Sequence, residues 1–256
     1  MPSTQPEAHD SRPPYQQIAA DLRDEIMSGE LEPGSSLPST ARLTERFGVF
    51  NATIQKAVQL LKAEGLVVGR PGAGVVVREH RRHLMTPAAY SAPAGAGEPY
   101  RWLSEAAKRG FQASSELLAV TEGRPPAEVA RALDLGETGT AAHRTQILML
   151  NGEPAELVQS YYPSEIASGT AITERRKIRG GTPTLLAELG YPPIRTVDLV
   201  SACVPTREQF NALQLPTELP ILRTFRVVYS HSDRPIEVTI MAKAGHLYEL
   251  KYEFSA

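Results

Sequence analysis

Only three residues, Gly48, Val49 and Phe50, separate two helical patterns near the start of this chain, and that short link restricts its possible folds more than any other feature. The first pattern runs from Ser39 to Phe47 and buries Leu43 and Phe47. The second runs from Asn51 to Glu64 and buries Ile54, Ala57, Val58 and Leu61. A link this short does not let two helices run comfortably antiparallel, so they must cross steeply. An earlier stripe of Tyr15, Ile18, Leu22 and Ile26 predicts another helix, closed by Gly29 and followed by a Pro33-Gly34 turn. After Gly65 come Leu66–Val68, a turn at Arg70-Pro71-Gly72-Ala73-Gly74, and Val75–Val77, which read as two short strands around a glycine-rich tip.

Three helices and a hairpin within about 65 residues are the layout of a winged helix-turn-helix. Charge agrees with a polyanionic partner for this part. The chain carries −2 overall, but residues 40–82 hold eight basic and three acidic residues. With Ile54 turned inward, Ala52, Gln55, Lys56 and Gln59 face outward, with Asn51 at the helix start. Asparagine and glutamine can bond bidentately to adenine, and lysine can reach guanine or phosphate. Arg42 and Arg46, one turn apart on the preceding helix, suit phosphate contacts that set orientation, and Arg70 beside Gly72 suits a backbone or minor groove.

With 256 residues the chain exceeds a single typical domain, and its 41% apolar content suffices for real cores. It contains no long uncharged apolar run and no basic start with an apolar stretch, so no membrane partner and a cytoplasmic location are expected. A tail is expected over 1–13, the DNA-binding domain over 14–78 and an Ala/Pro/Gly-rich linker over 79–99. Residues 100–256 mix both periods. Strands are predicted at Ala142–Leu150, Ala155–Tyr162, Asp198–Val204, Ile221–His231, Ile236–Lys243 and Leu247–Phe254. Helices are predicted at Arg101–Lys108, Pro126–Leu133, Thr184–Leu189 and Arg207–Leu213. An internal repeat runs through this part: a helix ending in Ala-Leu-x-Leu, a strand with Arg-Thr, a turn ending in Pro154 or Pro235, and a second strand. Two such units predict a pseudo-symmetric antiparallel sheet.

Catalytic and metal signatures are missing. The six histidines show no ligand spacing, and no nucleophile elbow or phosphate loop occurs. Glu153, Glu156 and Glu237 have no evident catalytic partners, and Cys203, alone in an apolar strand, reads as an inert thiol. No catalytic residue, metal or cofactor is expected.

The run Ile26–Ser39, together with Glu45–Gly48, Thr53, Ala63–Leu66 and the Gly72-x-Gly74 wing, resembles the head of GntR-family bacterial transcription regulators. Gly152-Glu153-Pro154, Tyr161-Tyr162-Pro163, Leu189-Gly190, Leu222-Arg223, Asp233–Glu237 and Tyr248–Phe254 resemble the UTRA effector domain of the HutC subgroup. The implied fold is a two-domain α+β chain, an N-terminal winged helix-turn-helix followed by a UTRA domain with a chorismate-lyase-like antiparallel sheet and helices. The resemblance implies a homodimer on palindromic double-stranded DNA, probed by Ser39, Arg42, Arg46, Asn51, Thr53, Gln55, Lys56, Arg70 and Gly72. It also implies a small-molecule effector held near Arg144, Gln146, Ser160, Tyr162, Glu237 and Lys243, with Arg223 as a further cation for an anionic group. The chain departs from the family pattern at Ala41, Phe50-Asn51 and Gln55, where arginine or Ser-Arg is usual, and so predicts an operator different from the common GT…AC half-sites. In the pocket Gln146 stands where phosphosugar-binding relatives carry arginine, and Lys243 where tyrosine is common. The implied function is repression relieved or reset by a metabolite. A chorismate-lyase-like enzyme with an accessory head, and a DNA-binding dimer without a ligand, are the alternatives.

Overall fold

The computed structural model describes residues 10–78, 83–87, 89, 92–95, 97–215 and 219–253, and these divide into two compact units at the boundary between residues 81 and 82. Of the expected tail, residues 1–9 lie outside the described residues.

In the first unit, α1 (Pro14–Ser28) begins on proline, whose missing N–H costs nothing in a first turn, and ends at Gly29 with φ +85°. The α2 helix (Thr40–Phe47) is capped by Ser39, whose hydroxyl accepts the Arg42 N–H at 3.3 Å. It stops at Gly48, whose φ of +62° falls in the left-handed region that glycine enters at least cost. The α3 helix (Asn51–Ala63) follows at once. Ile18, Leu22, Leu43, Ile54, Ala57 and Leu61 interlock as the core of the three helices. Arg23 of α1 clamps Glu64 at the end of α3 with two bonds, at 2.9 and 2.5 Å. The wing is β1 (Val67–Arg70) against β2 (Gly74–Val77). It is more than the expected hairpin, because the Leu37 N–H donates to Val75 O at 2.8 Å and the Val77 N–H to Ser35 O at 2.8 Å. The chain after Pro33-Gly34 thus pads the wing and buries Leu37 before α2 begins.

The second unit opens on a correction. Residues 83–85, placed in the linker by composition, form β3 (His83–Met85), which pairs in parallel with β10 (Tyr248–Leu250) and buries Met85. Leu84 and Met85 precede the small-residue run, and Met85 joins the apolar cluster that includes Tyr248. Then come α4 (Arg101–Lys108), β4 (Ala113–Gly123), α5 (Ala127–Ala132), β5 (Ala141–Leu150) and β6 (Glu153–Pro163). A short α6 (Ser164–Ala167) and α7 (Thr182–Glu188) lead to β7 (Arg195–Cys203), α8 (Arg207–Ala212), β8 (Ile221–Tyr229) and β9 (Pro235–Ala244).

Six of these strands form an antiparallel sheet in the order β4-β5-β6-β9-β8-β7. The repeat is real in three dimensions. Each half runs strand, helix, hairpin, and the halves join where β6 pairs with β9. Both helices end on a non-glycine residue at positive φ, Asp134 at +53° and Gln214 at +47°. Both hairpins turn on two consecutive residues of positive φ, Asn151-Gly152 and Ser232-Asp233, which suits the right-handed twist of the paired strands. The β4 strand was not expected from sequence, because a bulge between Leu117 and Ala119 breaks its alternation.

Truncating a fully enclosed side chain tests the first core. Leu61→Ala should destabilise the N-terminal unit by about 3 kcal/mol, whereas Leu61→Met should cost less than about 1.5. Urea unfolding followed on that unit's own transition measures both.

Candidate DNA-reading face and ligand cavity

On α3 the residues turned away from the core are Asn51, Ala52, Gln55, Lys56 and Gln59, all exposed, with Thr53 half-buried at the edge. Arg42 on α2 is exposed, as are Arg70 and Gly72 on the wing, and Gly72 adopts φ +79°. The polar face expected from the spacing is therefore present. Two of its members already have structural work. Ser39 spends a lone pair on the α2 cap. Arg46 is ion-paired with Glu25 of α1 and lies over the Phe47 ring, so it braces the helices as well as facing outward. Gln55 makes only a long 3.4 Å bond to the Thr40 hydroxyl.

In the second unit, register rather than sequence proximity builds the site. Residues directly opposite one another in a sheet share a face. Arg144 on β5 pairs with Ser160 on β6, Ser160 with Thr239 on β9, Thr239 with Arg226 on β8, and Arg226 with Asp198 on β7. One polar row thus crosses five strands. The next row along the same face is largely apolar: Leu117, Gln146, Val158 and Met241. Beyond it lie Glu156 and Lys243. Apart from Asp198 and Lys243, these rows floor a cavity of about 540 Å³, walled by Tyr100, Trp102 and Leu103 around α4 and by residues 177–183 before and in α7. That size is within the range of small-molecule sites.

The polar groups of the floor are wired to one another. Thr239 donates its single hydroxyl proton to Glu237 at 2.5 Å, so Ser160, 2.8 Å away, must donate to Thr239. Arg226 makes two bonds to Asp198, at 2.7 and 2.6 Å. Arg144 lines the cavity without a carboxylate partner. Its guanidinium donates to the backbone carbonyls of Ile172, Glu174 and Arg176 at 2.7, 2.9 and 2.7 Å, and so pins the segment that leads into the cavity wall at 177–183. Its Nε is buried with no hydrogen-bond partner, as is Oε2 of Glu156.

The expected effector residues thus separate. Arg144, Gln146, Ser160 and Glu237 meet at the cavity. Three do not line it. Arg223 sits one residue out of phase with Arg226 and therefore points to the opposite face, where it pairs with Glu128 at 2.6 Å. Tyr162 is buried, its hydroxyl donating to Thr182 at 2.9 Å at the start of α7. Lys243 is sealed against Glu156 at 3.0 Å, with both side chains 2% exposed. Arg226, Thr239 and Glu156 were not expected as cavity groups, nor were Lys177 and Arg179 on the wall. The alternation of β8 offered Arg226 and Arg223 as equals, and only the covered face chose between them.

Burial dominates the titration of this floor. It pushes the Glu237 carboxyl above its ordinary value, against the Thr239 hydrogen bond and the Arg226 charge. It also pulls the Lys243 ammonium below its ordinary value, against the attraction of Glu156. Burial raises the Tyr100 and Tyr162 phenols, so both are neutral donors at physiological pH. Among the described residues no group of histidine, cysteine and carboxylate side chains is arranged to hold a metal ion, and no helix is long and apolar enough to cross a membrane.

Comparison with known proteins gives two family matches: bacterial regulatory proteins of the gntR family over residues 14–77, and the UTRA domain over residues 108–249. The chain is 26% identical to the histidine utilization repressor of Pseudomonas putida, across 95% of this chain and 92% of that protein. It is 24% identical to the HTH-type transcriptional repressor NagR of Bacillus subtilis, across 92% of each. Among solved structures, PhnF from Mycobacterium smegmatis shares the fold with a TM-score of 0.59 at 20% identity, covering 93% of this chain and 99% of that one.

Two substitutions test the floor. Lys243→Met leaves the Glu156 charge buried and unpaired, so it should cost about 3–5 kcal/mol, and adding Glu156→Leu should recover most of that loss in urea unfolding. For Glu237, the raised folded pKa means that the native state binds more protons than the unfolded one between the ordinary carboxylate pKa and the folded value. Its contribution is most favourable at low pH and is lost as pH rises through that window. Glu237→Gln should therefore match the wild type in melting temperature near pH 4 and exceed it near pH 7.

Proposed function

The chain belongs to the GntR family of bacterial transcription regulators, in the HutC-like group that carries a UTRA effector domain, and from that premise we propose that it is a homodimeric repressor whose operator affinity is set by a small metabolite. It is a regulator and not an enzyme, as the family and its relatives are. The observation that carries the proposal is the cavity in the UTRA domain, floored by Arg144, Ser160, Thr239 and Arg226 from four adjacent strands. Guanidinium, hydroxyl and carboxylate groups set among apolar side chains in one cavity suit a small ligand with both donor and acceptor groups. Lys177 and Arg179 on the cavity wall favour an anionic group at that end of the ligand.

An effector changes DNA affinity only by binding two conformers unequally, and the coupling is reciprocal. The α7 start, tied to the sheet by Tyr162, and the wall residues from 177 on, which follow the 171–176 segment tied by Arg144, are the parts best placed to respond. Dimerisation through this domain is supported by the outer strand β7, which shows Leu199 and Val200 to solvent. Two copies of the head would then meet a palindrome, in the cytoplasm.

Titration of the full chain against promoter fragments at several salt concentrations tests the DNA half. Saturable binding to a few fragments with inverted repeats is expected. Arg42→Gln should weaken all of them alike and flatten the salt dependence by roughly 0.9 in log–log slope. A thermal-shift screen of metabolites tests the other half. A ligand present at about 100 times its Kd should stabilise the protein by roughly 2.7 kcal/mol and change the operator Kd. A metabolite that stabilises the protein but leaves operator affinity untouched would overturn the coupling, and no stabilising metabolite at all would favour a ligand-independent dimer.

A further inference from the structure

Phe50 is the most exposed large apolar side chain among the described residues, at 87%. Its position makes that exposure informative. It is the N-cap of α3, where serine, threonine, asparagine or aspartate would satisfy a free N–H of the first turn, and the phenyl ring makes no cap hydrogen bond. The backbone does what the helix start needs, because Phe50 O accepts the Thr53 N–H at 2.9 Å. The ring adds nothing to the core either: Phe47 and Val49 pack against the three-helix cluster and Phe50 does not. A poor cap and a solvated ring at one position are explained together by a contact made with something outside the chain.

The surroundings indicate what that is. Phe50 lies beside the exposed Asn51 and Ala52 at the leading end of the DNA-reading helix, with Gln55 and Lys56 one turn further and Arg42 exposed on α2. This is a cationic and amide-bearing surface with two small apolar groups at its tip. In a major groove the one apolar feature of base edges is the C5-methyl of thymine, and phenylalanine and alanine are residues that pack on it. We infer that Phe50, assisted by Ala52, reads a thymine methyl in each half-site, next to the adenine that Asn51 is suited to bond. Phe50 is thus a specificity-determining residue of the operator. The inference rests on the DNA-binding reading above.

The test uses the full-length protein and an operator selected from randomised duplexes. Each thymine is then replaced by deoxyuridine, which pairs identically and lacks only the methyl. The wild type should lose about fourfold in affinity per half-site at one position, the worth of one buried methyl-sized group. Phe50→Ala should bind the thymine duplex more weakly and respond less than the wild type to the replacement, with only small groups left against the methyl. Phe50→Ser restores a capping residue, so it should melt no lower than the wild type and still lose the methyl discrimination. That separates reading from folding. Equal responses of wild type and Phe50→Ala at every thymine would overturn the inference alone. A selection that recovers no operator would overturn it together with the DNA-binding reading.

Discussion

The antiparallel pairing of β6 with β9 is the contact on which the effector domain depends. Each hairpin unit forms locally, but a lone hairpin of this size is marginal in water, and the seam turns two of them into one six-stranded sheet. The seam also sets the register. Ser160 opposite Thr239 joins Arg144 on one half to Arg226 and Asp198 on the other, and a slip of one residue would turn that polar row to the opposite face. Cavity, hydrogen-bond chain and buried ion pair all follow from that one alignment.

Such a floor is expensive to keep. Burial disfavours the charged form of Glu237, and the Lys243–Glu156 pair is sealed from water while one carboxylate oxygen has no partner. Buried ion pairs of this kind are often no better for stability than apolar side chains of equal volume, so their presence beside a cavity fits selectivity for a ligand better than it fits stability. The neighbouring row of Leu117, Val158 and Met241 supplies the apolar surface a small molecule needs for affinity. Lys243 shares the face of the sheet with Glu156 but does not line the cavity, and bears on it by holding Glu156.

The head follows a different logic. Its helices are fixed by glycine stops at Gly29 and Gly48, a serine cap and a compact apolar core, all short-range features. That is why its three helices and wing were legible from spacing. Less legible were the second duties of its polar residues. Nothing in the sequence told that Arg46 would be drawn to Glu25, 21 residues away, or that the segment before α2 would pad the wing.

In the second domain the sequence by itself determined the hairpins, their turns and which residues of a strand share a face, because these obey a period of two and the chemistry of residues at positive φ. Ser160 and Tyr162 could be set on one face of their strand, with Tyr161 on the other, on that basis. It did not determine the order of the strands, the bulged β4, the burial of Met85 or which of Arg223 and Arg226 would face the cavity. Those were decided by tertiary structure, since the β6–β9 seam joins residues 77 to 87 positions apart and β3 meets β10 across 165, contacts whose free energy no local pattern records.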